Sequence, residues 1–258
     1  MATARFRFYE ELNDFLAPRH RRREFDHPTA RAATVKHAIE ALGVPHTEVE
    51  LILVNGESVD FSTPVRDGDR ISVYPMFESL DIAPLLRVRP QPLRVTRFVA
   101  DAHLGALARL LRMCGFDARY DNGFTDDEVR RLAREERRIV LTRDRELLKA
   151  RSVTHGCYVH SVEPAAQLRE VLARLQLAGS LRPFSRCLHC NLELVPVPKR
   201  AVLAQLPEEV ARTHDRFRRC DGCARVYWEG SHWRRMQQIL CDVLPDPALQ
   251  TTPPEQDC

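Results

Sequence analysis

From Arg97 to Leu177 short apolar runs alternate with amphipathic helical stretches, and this rhythm confines the fold more tightly than any other feature of the chain. RFVA, FDARY, RRIVLT and GCYVHSV read as strands, being short, apolar or β-branched, and bounded by polar residues or glycine. Between them lies HLGALARLLRMCG, a helix with Leu104, Leu107, Leu110 and Leu111 facing inward and Gly115 as its stop. TDDEVRRLAREE is a second helix, opened by Thr125 with Glu128 three residues on, a capping box. DRELLKA and PAAQLREVLARLQL complete the set, the latter with proline in its first turn. Strands joined by helical crossovers imply a mostly parallel sheet covered by helices on both faces, an α/β fold.

That topology gives the acids of this region a meaning. In open α/β sheets reactive groups gather outside the carboxyl ends of the strands, where loops and helix N-termini converge. Three junctions carry carboxylates: Asp101 after RFVA, Asp121 with Asp126 and Asp127 after FDARY, and Asp144 after RRIVLT. Any one alone reads as a helix cap or a partner of the helix dipole. Three on neighbouring strands repel one another unless one is protonated or a cation sits between them. Hard oxygen ligands suit Mg²⁺ or Mn²⁺, and no histidine occupies an equivalent strand end. An acid-bound ion of this kind suits phosphodiester hydrolysis, because it activates a water and stabilises the charge gathering on phosphate. Arg143 and Arg145 flank Asp144 as ion-pair partners or phosphate clamps.

The first 80 residues follow a different pattern. ARFRFY alternates as a strand, REF resembles its partner, and TVKHAIEALG is a helix with Val35, Ile39 and Leu42 on one face and Gly43 as its stop. VELILVNGESVDF holds a strand, an Asn55-Gly56 turn and a second short strand, and VRDGDRISVYP closes with a turn and another strand. This order resembles the β-grasp, ubiquitin-like fold and its sulfur-carrier-like branch. Sulfur carriers end in an exposed Gly-Gly, whereas here the chain runs on through MFESLDIAPLL. The expectation is an interaction module for a protein partner or a substrate-guiding module, over residues 1–80. Residues 81–94, with Pro84, Pro90 and Pro92, read as a linker, and 95–181 as the α/β domain.

Charge divides the chain in the same way. Residues 87–236 hold 29 basic and 18 acidic side chains, an excess of 11 positive charges, while the flanks 1–86 and 237–258 each carry a net charge of −4. A basic middle of that size attracts polyanions, with nucleic acid first among them. Four of the eight cysteines form two CxxC pairs, Cys187 with Cys190 and Cys220 with Cys223, separated by 29 residues. Two pairs together indicate a closed, four-thiolate Zn²⁺ site in a ribbon with an inserted loop, over residues 182–240. Around them, Arg225, Tyr227, Trp228, His232, Trp233, Arg234 and Arg235 mix cations with aromatics. Bases stack on such rings and phosphates bind such arginines, although the same rings could pack over the zinc knuckle. Cys114 and Cys157 sit in apolar context as small core residues, and 241–258 is expected to be disordered. No run approaches the length of a membrane span and the start lacks a secretory h-region, so a cytoplasmic protein without a membrane partner is expected.

Taken together, FVADAHLGALARLLRMCGFDARYDN, RRIVLTRDRELL, the two CxxC pairs and RVYWEGSHWRRM resemble the Mut-seven C-terminal RNase family, a PIN-like nuclease domain with a zinc ribbon. The N-terminal part is similar to the ubiquitin-like domain often joined to it, so that the likeness covers about residues 1 to 240. The resemblance implies a metal-dependent ribonuclease acting on RNA, structured RNA such as tRNA included. Within it Asp101 matches the first acid of the set, Asp144 the acid of the TRD motif, and Asp126, with Asp121 as rival and Asp127 beside it, the acid of the intervening helix. Glu163 is the residue offered for the fourth acid that such domains commonly carry. No segment signals an oligomer interface.

Overall fold

Alternation makes the first strand: in β1 (Ala2–Phe8) Ala4, Phe6 and Phe8 are buried, while Thr3, Arg5 and Arg7 are exposed. The computed structural model describes residues 2–75 and 96–243. The expected linker 81–94, residues 76–80 of the expected first domain, and residues 244–258 of the expected tail lie outside the described residues. After β1 come β2 (Phe25–Thr29), α1 (Val35–Ala41), β3 (Leu51–Val54), β4 (Glu57–Ser58) and β5 (Arg70–Tyr74). They form a sheet in the order β2-β1-β5-β3-β4, in which β1 and β5 are parallel and the other pairs antiparallel. Thr34 caps α1 by accepting from the His37 N–H, and Gly43 leaves the helix at φ +101°. Asn55 and Gly56 turn the β3–β4 hairpin, both at positive φ, which a tight hairpin turn requires. Phe6, Phe8, Leu12, Ile39, Ile52, Ile71 and Val73 pack between sheet and helix as the core of a β-grasp domain.

The second half continues with β6 (Arg97–Ala100), α2 (Gly105–Met113), β7 (Asp117–Arg119), α3 (Asp126–Glu135), β8 (Ile139–Thr142), α4 (Arg145–Lys149), β9 (Gly156–Tyr158) and α5 (Pro164–Arg174). Strands β6, β8 and β9 pair in parallel, Phe98 opposite Ile139 and Val140 opposite Gly156. All four residues of β8 are buried, as a strand covered on both faces must be. The capping box of α3 is made in full between Thr125 and Glu128. Two expectations are corrected. The buried stripe of α2 runs through Leu104, Leu107, Ala108 and Leu111, while Leu110 lies one position off it and is half-buried. The GCYVHSV strand stops at Tyr158, because the His160 and Ser161 N–H groups donate to the Glu170 carboxylate on α5 and leave the ladder.

The ribbon adds β10 (Leu194–Val197), α6 (Glu208–Thr213), β11 (Phe217–Cys220), β12 (Val226–Tyr227) and α7 (Ser231–Val243), the strands forming an antiparallel sheet in the order β10-β11-β12. Helix α7 runs to Val243 with Leu240 buried on it, so residues 241–243, expected to be disordered, continue a helix. Among the described residues no helix is long and apolar enough to cross a membrane.

The chain packs as two units. Of the described residues, one unit comprises those up to His103 together with Asn122–Val159; the other comprises Leu104–Asp121 and residues 160–243. In the first, the β-grasp domain lies directly against β9 and α4. The buried Glu48 carboxylate accepts the Tyr158 N–H, and His46 stands between the Glu40 carboxylate, 2.8 Å from Nδ1, and the Val153 carbonyl, 2.9 Å from Nε2. Gly156 is pressed from both sides: a Cβ there would sit 2.4 Å from Leu148 Cδ2 and 3.4 Å from Thr47 Cβ. Replacement of Gly156 by alanine is therefore expected to destabilise this unit by about 1–3 kcal/mol through overpacking. A urea or thermal unfolding curve coincident with that of the parent protein would contradict this packing.

Candidate functional site

Parallel pairing brings the ends of β6 and β8 to one edge. Asp101 directly follows β6, and its N–H donates to the Leu141 carbonyl of β8. One buried hydroxyl then ties the two strand ends together: Thr142 Oγ1 donates to Asp101 Oδ2 at 2.6 Å and accepts the Asp144 N–H at 2.9 Å. Each acid also caps the turn after it. Asp101 Oδ1 accepts the His103 N–H at 3.1 Å, and Asp144 Oδ1 accepts the Glu146 N–H at 2.8 Å. Asp101 is half-buried, with both carboxylate oxygens accepting hydrogen bonds, and Asp144 is exposed.

Asp126 and Asp127 open α3, which packs against β6 and β8, and both carboxylates are exposed. Arg130 reaches both, 3.0 Å from Asp127 and 3.8 Å from Asp126, so the first turn of α3 carries its own counter-charge. Asp121 and Glu163 belong to the other unit; Glu163 precedes α5 and its side chain makes no capping bond there. Among the described residues, the four cysteines are the group of three or more His, Cys, Asp and Glu side chains whose ligand atoms lie within 4.8 Å of one another, and the acids form no such group.

The cysteine cluster is built from two copies of one turn. The Cys187 N–H donates to the Leu192 carbonyl and the Asn191 N–H to the Cys187 carbonyl; the Cys220 N–H donates to Arg225 and the Ala224 N–H to Cys220 in the same way. Asn191 and Ala224 both take positive φ, at +66° and +57°, which swings each CxxC back upon itself. The sulfurs of Cys190 and Cys220 lie 3.0 Å apart, those of Cys187 and Cys190 3.4 Å, and those of Cys187 and Cys223 3.6 Å. Four thiolates at about 2.3 Å around a tetrahedral zinc stand nearly this far from one another, so the cluster can hold zinc. Burial works against a Cys187 thiolate, but donors converging on it, the Cys190 N–H and the Tyr227 hydroxyl foremost, outweigh burial and bring the thiol down to about 6. Cys190 moves the other way, to about 12, through burial and its neighbouring sulfurs. Cys114, by contrast, is raised to about 12 by burial alone, as befits a small core residue.

The residues expected to touch RNA have these surroundings in the fold. The Tyr227 hydroxyl lies 3.1 Å from Cys187 Sγ, and Trp233 packs against Phe184 with ring centroids 5.1 Å apart. Trp228 is half-buried beside Gly230, and His232 lies within α7. The Arg145 guanidinium lies over the Phe15 and Tyr158 rings. Arg143, Arg225, Arg234 and Arg235 are exposed. Sequence reasoning passed over three residues that organise the two centres. Thr142 figured only as the first residue of the TRD motif, and its spacing gave no sign that its hydroxyl would join the two acids. Asn191 fastens β7 to the first knuckle, accepting the Ala118 N–H at 3.0 Å and donating to the Asp117 carboxylate at 2.6 Å. Arg112, buried on an otherwise apolar helix face, donates to the carbonyls of Ala118, Leu188 and His189. Burial lowers its pKa, and the neighbouring Cys187 and Cys190 oppose that loss. A charged residue at a core position of the α2 stripe was the available clue.

A β-grasp domain, a parallel α/β domain with acids at its strand ends, and a four-cysteine ribbon make up the chain, and its family makes it a nuclease-type protein. The chain belongs to the Mut7-C RNAse domain family, whose model matches residues 96–240, and a second model, Mut7-C ubiquitin, matches residues 1–81. No curated protein matches it. The solved small archaeal modifier protein 1 of H. volcanii is similar over 30% of this chain and 100% of its own, at 20% identity and a TM-score of 0.25. Thr142→Val, which keeps the shape and removes the hydroxyl, leaves the Asp144 N–H and one Asp101 oxygen without their partner, and is expected to cost about 1–3 kcal/mol of stability. Denaturation of the variant at the parent midpoint would contradict this role for Thr142.

Proposed function

We propose that the protein is a metal-dependent ribonuclease that hydrolyses RNA phosphodiester bonds at the β6 and β8 strand ends. The observation that carries this reading is the pair Asp101 and Asp144, joined through the Thr142 hydroxyl inside a domain of the Mut7-C RNAse family. Asp101 and Asp144 would hold Mg²⁺ or Mn²⁺ with Asp126 as the third acid, a hard-oxygen donor set that fits either ion. Such an ion, when bound, supplies an activated water and stabilises charge on the phosphate. The chain's own part is to present carboxylates at strand ends, and to draw RNA in with the exposed Arg143, Arg225, Arg234 and Arg235. Structured RNA such as tRNA is one substrate class to include, and Asp121, Asp127 and Glu163 are the remaining acids to compare.

The cysteine cluster is proposed as a structural zinc site, with no open position once four thiolates bind. Zinc with four thiolates carries two net negative charges, and the buried Arg112 guanidinium beside Cys187 and Cys190 supplies charge of the opposite sign. Freshly purified protein is expected to carry close to one zinc per chain, and Cys220→Ser far less. Substantially less than one in the parent, by elemental analysis, would remove the zinc assignment.

A second reading, a non-catalytic RNA-binding or adaptor protein, is favoured by one observation: Asp101 and Asp144 both cap backbone N–H groups. Asparagine caps about as well as aspartate, so Asp101→Asn and Asp144→Asn separate the two. The nuclease reading expects each to lower Mn²⁺- or Mg²⁺-dependent cleavage of labelled single-stranded RNA or tRNA by at least about 100-fold, more than loss of an outer-shell partner costs, with little change in stability. Cleavage surviving both substitutions, or absent in the parent on every RNA, would sink it.

A further inference from the structure

An adaptor domain tethered by a linker has no reason to touch catalytic machinery. Here the β-grasp domain reaches the residue next to Asp144. Arg145 is the first residue of α4, and Asp144 is its cap. The Arg145 guanidinium carbon lies 5.0 Å from the centroid of the Phe15 ring, which comes from the β-grasp domain, and 5.5 Å from that of the Tyr158 ring, at the end of β9. The two rings meet edge to face, 5.3 Å apart at 75°, and Arg145 Nη1 also donates to the Phe15 carbonyl at 3.4 Å. Phe15 is itself in the β-grasp core, 3% exposed, so the ring is a fixed support. The Glu48 bond to the Tyr158 N–H and the His46 contact with Val153 hold the second ring's strand from the same side.

We propose that the ubiquitin-like domain is a working part of the nuclease site, and that Arg145, gripped between Phe15 and Tyr158, is a positioning residue that fixes the start of α4 and with it the Asp144 carboxylate. This rests on the reading of Asp144 as a metal-binding acid. The physical reason is geometric. A five-residue helix is too short to hold its own first turn, and a cation over aromatic faces in a half-buried site supplies the missing constraint. Arginine suits the place because its planar group stacks and donates at once, which a lysine ammonium does not.

The test uses the full chain with Arg145→Lys, which keeps the charge and loses the stacking, and Phe15→Leu, which removes the ring from the other domain. Two quantities are read: hydrogen exchange of the Glu146 amide, which reports its bond to Asp144, and kcat and KM for Mn²⁺-dependent RNA cleavage. Both variants are expected to speed Glu146 exchange and lower kcat by about fivefold, the size of one partly desolvated cation–π contact, with KM for RNA unchanged. Unchanged exchange in Arg145→Lys overturns the proposal, whether or not Phe15→Leu folds. Faster exchange with unchanged kcat overturns it too, since Asp144 would then be loosened without consequence. A rise in KM with kcat intact would instead make Arg145 a phosphate contact and overturn its positioning role. If the parent cleaves no RNA while exchange still quickens in both variants, the positioning of Asp144 stands and the nuclease reading falls.

Discussion

Parallel pairing of β6 with β8 is the constraint on which the rest depends. Parallel strands point the same way, so their carboxyl ends share an edge, and the residues just beyond those ends are brought together without further design. Asp101 and Thr142 arrive side by side because Ala100 stands opposite Leu141. A one-residue slip would turn each side chain to the other face. The Thr142 hydroxyl then converts adjacency into connection, since it is buried and must both donate and accept. Two acids that each read as an ordinary cap become a linked pair in this way.

The thiolate centre depends on the opposite kind of device, local turns repeated at a distance. Each CxxC is closed by its own backbone bonds and one left-handed residue, so the knuckles are specified over six residues apiece. Their pairing across the 29-residue insertion is left to β10 and β11, whose register sets Leu194 opposite Cys220. Arg112 and Asn191 then join the first knuckle to α2 and β7. Loss of the thiolate centre would therefore be felt in that helix and strand as well as in the ribbon, because the same carbonyls that shape the knuckle satisfy a buried cation.

The β-grasp domain illustrates how packing can alter the meaning of a module. Its strands, its Asn-Gly hairpin and its capped helix are all local signals. Its contacts with β9, α4 and the loop between them are made by Phe15, His46 and Glu48, residues that sit in short 3₁₀ helices and carry no periodic pattern. A buried carboxylate that accepts a strand N–H is costly unless paired, so Glu48 and the Tyr158 backbone specify one another once the two parts meet.

The order of elements, the helix caps, the hairpin turn and the identity of the four zinc-type cysteines were legible in the sequence, because each rests on residues within a few positions of one another. Asp101 and Asp144 were legible as strand-end acids for the same reason. Leu110 fell outside the stripe, and GCYVHSV ended early, because neighbouring elements compete for the same residues. What only the tertiary structure decided was which groups meet across the chain: Thr142 with Asp101, Arg112 with the knuckle carbonyls, Arg145 with Phe15, and Tyr227 with Cys187. Local propensity acts along the chain, whereas these partners are separated by 40 to 130 positions and are chosen by register and burial.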